Sequence, residues 1–192
     1  MRTVILWGIV LMLAAGTATA SSPAVTEQAD SSNAFYAGEK FNYVIKAPAH
    51  FRMVTSEARD DGYSFAFVPD SVGYKKANIV IGVNIYKVRG LSFESVLAND
   101  TASMRDHYGP HLVLRPIDSV RNGSNQPMTA FYLDDKSRFI PNVMTAYFYG
   151  NTEILIFELS ISPDVVRVKA EDTFMNCLRG FSAMARAQLG AK

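Results

Sequence analysis

Polar and apolar residues alternate along much of the chain after residue 40, and alternation with period two is typical of strands with one buried face. The pattern predicts eight strands, bounded by turn residues such as Pro48, Gly62 and Asn122-Gly123. The predicted strands cover residues 41–47, 51–57, 63–68, 78–88, 112–120, 128–133, 143–149 and 152–160.

Two segments have apolar residues at helical spacing instead. The first begins at Ser92, a residue type that caps helix N-termini, and ends at Gly109-Pro110. The second begins at Ser162-Pro163-Asp164, and its apolar stripe extends to Phe181. The element order is therefore ββββαββββα. Because short connections join most of the strands, we expect an α+β fold, with a mainly antiparallel sheet flanked by helices.

The first twenty residues have the pattern of a Sec-type signal peptide. Arg2 precedes an apolar run over residues 4–15, which is followed by Ala18-Thr19-Ala20. The apolar run is shorter than the roughly 20 residues that a spanning helix needs, so we expect cleavage after Ala20 and no stable membrane insertion afterwards. The one cysteine, Cys177, is far from the cleavage site, so a lipid anchor is not expected. The predicted location is the periplasm or the medium.

The remaining chain is long enough for one ordinary domain. Residues 21–38 are rich in Ser and Ala and are predicted to be a flexible leader. Residues 39–184 form the predicted domain, and residues 185–192 form a tail. The 19 basic and 18 acidic residues give a formal net charge of +1, and loss of Arg2 would leave the chain neutral. A neutral chain has no electrostatic footprint for nucleic acid.

Four features along the chain carry a family resemblance: Phe41-Asn42-Tyr43 leading to Pro48, the segment from Phe65 to Pro69, the strand over residues 79–88, and the closing segment over residues 154–160 with the helix after it. Together with the order of elements, they resemble the PsbP-like fold, a group that also includes DcrB-like proteins of the bacterial envelope. The resemblance spans about residues 41–183. It implies an α/β/α sandwich and a non-catalytic accessory or binding role, and it transfers no site residues.

The chain offers little catalytic chemistry. His107 and His111 are separated by Gly109-Pro110, which breaks the one-face spacing of a helical metal pair. Cys177 lies in an apolar stripe, where burial makes a thiol inert. We therefore predict a protein that is not an enzyme and has no catalytic residues, no cofactor and no bound metal.

Two loops have residue types that are enriched at binding hot spots. One contains Tyr74, Lys75 and Lys76, and the other contains Arg138 and Phe139. The main hypothesis is an exported, non-enzymatic accessory protein of the bacterial envelope that binds a protein partner through these loops. The alternatives are a carrier with an apolar pocket between sheet and helix for a small ligand, and an unrecognised hydrolase. The sequence does not define the oligomeric state.

The single tryptophan provides a test of the predicted cleavage. Trp7 lies inside the predicted signal peptide, so the processed protein should show tyrosine fluorescence and no tryptophan emission. The measurement is an emission spectrum of protein purified from envelope fractions. Tryptophan emission from that protein would mean that the segment is retained.

Overall fold

The computed structural model describes residues 32–88 and 90–186, so the predicted signal peptide and its cleavage site at Ala18 and Ala20 lie outside the described residues. Within these ranges the chain forms ten strands, three α-helices and a 3-10 helix at Tyr74–Lys76. The strands are β1 Asn33–Ala37, β2 Phe41–Lys46, β3 Phe51–Val54, β4 Phe65–Pro69, β5 Ile79–Lys87, β6 Leu112–Ile117, β7 Thr129–Asp135, β8 Asn142–Tyr149, β9 Glu153–Ile161 and β10 Phe181–Ala185. The α-helices are α1 Ser56–Asp60, α2 Phe93–Tyr108 and α3 Arg167–Gly180.

The larger of two sheets has seven strands in the order β3-β4-β5-β9-β8-β7-β6. Every neighbouring pair is antiparallel. The prediction of an α+β fold with a mainly antiparallel sheet is therefore confirmed, and each of the eight predicted strands has a counterpart among β2 to β9. The start of α2 is also confirmed, because Ser92 Oγ accepts a hydrogen bond from the Ser95 amide at 3.2 Å, and Gly109 follows its last residue with φ 86°.

A second sheet has three strands in the order β1-β2-β10, and two of them were not predicted. Strand β1 lies inside residues 21–38, so the prediction of a flexible leader is wrong for this part. Ala34 and Tyr36 are buried in the core cluster, and pairing with β2 fixes the segment. A short strand with two buried residues has too weak a pattern to stand out without its partner.

The end of the domain also differs from the prediction. Helix α3 begins at Arg167 rather than at Ser162-Pro163-Asp164, because the Ser162 amide and hydroxyl bind the Asn78 carbonyl and hold this segment as a turn. The helix ends at Gly180, and Phe181 begins β10 instead of continuing the helical stripe. Phe181 packs against Tyr43, Phe148 and Phe157. Ala185 belongs to β10 rather than to the predicted tail, and residues 187–192 lie outside the described residues.

The two faces of the larger sheet differ in chemistry. One face packs on α3 and on the smaller sheet in an apolar cluster that includes Phe157, Phe174 and Phe181. The opposite face, which carries Ile154, Ile156 and Glu158, lies against α2. Glu153, on the same strand β9, joins the two sheets by accepting hydrogen bonds from the Glu39 amide at 2.7 Å and from the Tyr43 hydroxyl at 3.1 Å.

Gly82, in the middle of β5, makes room for the ring of Tyr63. A Cβ atom at residue 82 would lie 2.5 Å from Cδ1 and Cζ of that ring. We expect Gly82→Ala to lower the free energy of unfolding by about 1–3 kcal/mol, the usual cost of overpacking a core. The measurement is urea unfolding.

The matched control for this substitution is Gly73→Ala. Nothing lies within 4 Å of a Cβ atom at Gly73, so the change should stay below about 1 kcal/mol. Equal effects of the two substitutions would contradict the close packing of Tyr63 on Gly82.

Candidate functional site

The strand register places three residues side by side in the centre of the larger sheet, on the face that α2 covers. Gly82 of β5 pairs with Glu158 of β9, and Glu158 pairs with Thr145 of β8. Gly82 and Thr145 are small neighbours. The Glu158 side chain therefore extends from the sheet into the space below α2.

The carboxyl group of Glu158 is fully buried, and it forms no salt bridge with the residues that the structure describes. Burial and, to a smaller extent, the charge of Asp100 raise its pKa to about 7, although a hydrogen bond with the Tyr63 hydroxyl opposes the shift. Among the described residues, Glu158 Oε2 has no hydrogen-bond partner. A carboxyl in this setting is neutral at mildly acidic pH.

Asp100 brings a second carboxyl group to the same space from α2. It accepts a hydrogen bond from the Tyr147 hydroxyl of β8. Burial raises its pKa, and the hydrogen bond from Tyr147 lowers it. Two carboxyl groups, one on the helix and one on the sheet, thus lie on either side of one small cavity.

The cavity has room for about one water molecule. Its volume is ≈ 10 Å³, near the lower limit for a single water. Thr145 Oγ1 has no hydrogen-bond partner of normal geometry, although its hydroxyl lies close to that of Tyr147. Burial raises the pKa of Tyr147, and the Thr145 hydroxyl opposes the shift. The lining residues are Asp100, Met104, Tyr108, Leu133, Asn142, Met144, Thr145 and Glu158.

This arrangement can hold or release a proton, but its volume leaves no room for a substrate. The predicted carrier pocket between sheet and helix has no counterpart at this place, since a ligand pocket is roughly 300 Å³ or more. Within the described part of the chain, no group of three or more His, Cys, Asp or Glu side chains could hold a metal ion. The Cys177 thiol is fully buried in the other core cluster, and burial raises its pKa to about 12.

The structure separates the residues of the first predicted binding loop. Tyr74 is only 6% exposed and packs with Val54, Ala58 and Val68 under the end of the sheet. Burial raises its pKa, as does a hydrogen bond to Asp61. The prediction that Tyr74 faces a partner is therefore wrong, because its hydroxyl is used inside the protein.

Lys75 and Lys76 follow Tyr74 in the 3-10 helix, and both are exposed. Their charges remain available at the surface. Of the three residues predicted to contact a partner in this loop, the two lysines are at the surface and the tyrosine is not.

In the second predicted loop, Arg138 is held in place and Phe139 is exposed. Arg138 donates from Nη2 to the Tyr108 carbonyl at the end of α2, and from Nε to Asp135 at 3.3 Å. Phe139 is 49% exposed. His107 is close enough to Arg138 for that charge to add to burial in lowering the histidine pKa.

Both loops leave the larger sheet at the same end. The register pairs Ile79 with Ile161 and Asn142 with Ser160, so β5 and β8 begin where β9 ends. We call residues 70–78, 109–111, 136–141 and 162–166 the loop end. Only β9 separates β5 from β8, which puts the two predicted loops about 10 Å apart at their nearest strands.

A hollow beside the loop end has mixed charge. It has a volume of ≈ 300 Å³, and it is lined by Val113, Arg115, Asp134, Asp135 and Lys136. Asp134 binds Arg115 and also Arg167, the latter at 2.6 Å. Partial burial would raise the pKa of Asp134, but the hydrogen bonds from the two arginines lower it overall.

Comparisons with known proteins add one likeness. No protein-family model matches the chain, and no curated protein matches it. Among solved structures, the chain is similar to the solution structure of cyanobacterial PsbP (CyanoP) from Synechocystis sp. PCC 6803. The two share 12% identity with a TM-score of 0.48, over 73% of this chain and 85% of that chain. The PsbP-like resemblance of the sequence is thus matched by a similarity of structure. This similarity gives no information about function.

No helix in residues 32–88 or 90–186 is long and apolar enough to cross a membrane.

The raised pKa of Glu158 gives the stability of the protein a definite pH dependence. In the unfolded chain this carboxyl ionises near its ordinary value of 4.5, whereas the folded value is about 7. The stabilisation is complete below pH 4.5 and is lost as the pH rises to about 7, because the folded chain keeps a proton that the unfolded chain has released. Urea unfolding across pH 4.5–8 should show a loss of about 3 kcal/mol from this group.

Glu158→Gln should remove this loss, since the amide has the same shape and does not ionise. Glu94→Gln, an exposed substitution at the other end of α2, should leave the dependence as in the wild type. Identical pH profiles for wild type and Glu158→Gln would show that the carboxyl is not held neutral by the fold.

Proposed function

We propose that the protein is an exported, non-enzymatic binding protein of the bacterial envelope that holds a protein partner against the loop end. The observation that carries the proposal is the pairing of an exposed Phe139 with an Arg138 whose guanidinium is already fixed by Tyr108 and Asp135. Arginine and large aromatic side chains dominate interface energies. An arginine that is ordered before binding loses less side-chain entropy when the complex forms.

The surroundings of Phe139 favour a protein over a small molecule as the partner. Lys75 and Lys76 add positive charge at the same end of the sheet, and the hollow with Val113 lies beside the loop that carries Phe139. Val113 is 40% exposed. An exposed aromatic anchor beside a hollow with charged residues around it has the layout of a protein interface.

The N-terminal sequence pattern supports the proposed export. The predicted signal peptide over residues 1–20 would deliver the protein to the periplasm or the medium. A partner would then be another protein of that compartment.

The proposed contact can be tested by crosslinking in cells. A photoreactive amino acid at position 139 should give a crosslinked product of defined mass, and the same amino acid at position 35 should not. Phe35 is a matched comparison, since it is 46% exposed and lies on β1 of the smaller sheet.

Phe139→Ala should reduce recovery of the crosslinked partner about tenfold or more when the probe is placed at Lys136, as expected for a hot-spot residue. Phe35→Ala should leave recovery within about twofold. Tyr74 stays unchanged in this design because its burial makes its loss a folding effect. Equal recovery from both alanine variants would remove Phe139 from the interface.

A further inference from the structure

Tyr108 connects the buried carboxyl cluster to the proposed binding loop. Its side chain lines the same cavity as Glu158, and its backbone carbonyl accepts the hydrogen bond from Arg138. Tyr108 is also the last residue of α2. A movement of this helix end away from the sheet would therefore separate the Tyr108 carbonyl from the Arg138 guanidinium.

The groups that face Glu158 from every element packed against it are acidic or phenolic. Asp100 and Tyr108 face it from α2, and Tyr63 faces it from the loop before β4. Tyr86 of β5 and Tyr147 of β8 complete the set. None of the salt bridges formed by residues 32–88 and 90–186 includes Asp100 or Glu158.

We propose that this cluster is a proton-operated latch that controls the same loop end to which the proposed function assigns the partner. With Glu158 neutral, α2 lies closed on the sheet and Tyr108 holds Arg138. With Glu158 ionised, two carboxylates face each other across the cavity, the C-terminal end of α2 moves outward to admit water, and Arg138 is released.

The cluster is built for two states rather than one. Thr145 and Glu158 are paired across neighbouring strands, and among the described residues Thr145 Oγ1 and Glu158 Oε2 have no hydrogen-bond partner of normal geometry. Space for about one water lies next to them. The raised pKa of Glu158, about 7, places the change of state within the pH range in which proteins work.

Hydrogen exchange of the purified full chain tests the latch without a partner. After correction for the intrinsic pH dependence of exchange, protection of residues 101–108 should fall about 30-fold between pH 5.5 and pH 8.5. This factor follows from a carboxyl that ionises near pH 7 when closed and near 4.5 when hydrated. In the segment 136–141, the Ser137 amide, which donates to the Asp135 carboxylate that also binds Arg138, should lose protection over the same range.

Two variants and one internal reference show which groups cause the change in exchange. Glu158→Gln should keep residues 101–108 protected at both pH values. Arg138→Ala should keep the pH response of residues 101–108 and abolish that of residues 136–141. Residues 170–178 of α3 should not respond, because the latch opens locally.

Three outcomes would overturn the proposal. The first is equal protection of residues 101–108 at both pH values in the wild type. This measurement does not require any variant to fold. The second is an equal loss in α3, which would mean global unfolding. The third is a response of α2 that leaves residues 136–141 unchanged.

The latch and the proposed function fail in different experiments. Loss of the exchange response with position-139 crosslinking intact would remove the latch and leave the partner surface. The full exchange response without crosslinking at position 139 would leave the latch and remove the partner surface.

Discussion

The burial of one carboxyl group organises the α2 side of this fold. Glu158 projects from the centre of a seven-stranded sheet into a region of low dielectric, where an unpaired charge costs several kcal/mol. The flanking positions are small, a glycine on one strand and a threonine on the other. Around it lie phenolic hydroxyls and a second acid, so the mainly apolar packing on this side of the sheet contains a polar cluster.

Glu153 lies five residues before Glu158 on β9, on the opposite face of the strand, and its buried carboxyl group is fully hydrogen-bonded. It accepts hydrogen bonds from the Glu39 amide, the Tyr43 hydroxyl and the Thr152 hydroxyl. On the same strand, Glu158 Oε2 has no hydrogen-bond partner within the part of the chain that the structure describes. The contrast locates the structural carboxylate at the junction of the two sheets and the responsive carboxyl beneath α2.

The two helices that cover the larger sheet are therefore packed against it differently. Helix α3 packs through Ala170, Phe174, Cys177 and Leu178 in a continuous apolar cluster. Helix α2 buries Asp100 along with Val96, Met104 and Tyr108. Because ionisation weakens only the α2 side, the proposed latch can open while the α3 side stays packed.

Local signals predicted the elements that carry their own pattern. Strands β5 and β9 have long apolar runs, and α2 has a capping serine and a terminal glycine, so these were predicted nearly to their ends. Strands β1 and β10 could not be predicted, because each is short and is defined by its pairing with β2. Tyr74 is buried in an apolar cluster and its hydroxyl interacts with Asp61, and the adjacent sequence defines neither contact. The sequence had one unused signal of the site, a glutamate inside the apolar run over residues 154–159.

Stability alone does not account for a carboxyl group at Glu158. A leucine or methionine of similar size would fill the position without the cost of burying an ionisable group, and such replacements of buried charges are often neutral or stabilising. The glutamate therefore stabilises the fold less than an apolar side chain would, and it makes the docking of α2 depend on a proton. Glu158 shares its cavity with Tyr108, and the Tyr108 carbonyl binds Arg138. The position of Arg138 at the loop end would therefore depend on the same proton. A buried ionisable group that is linked to a candidate binding loop through Tyr108 is better explained by control of that loop than by packing.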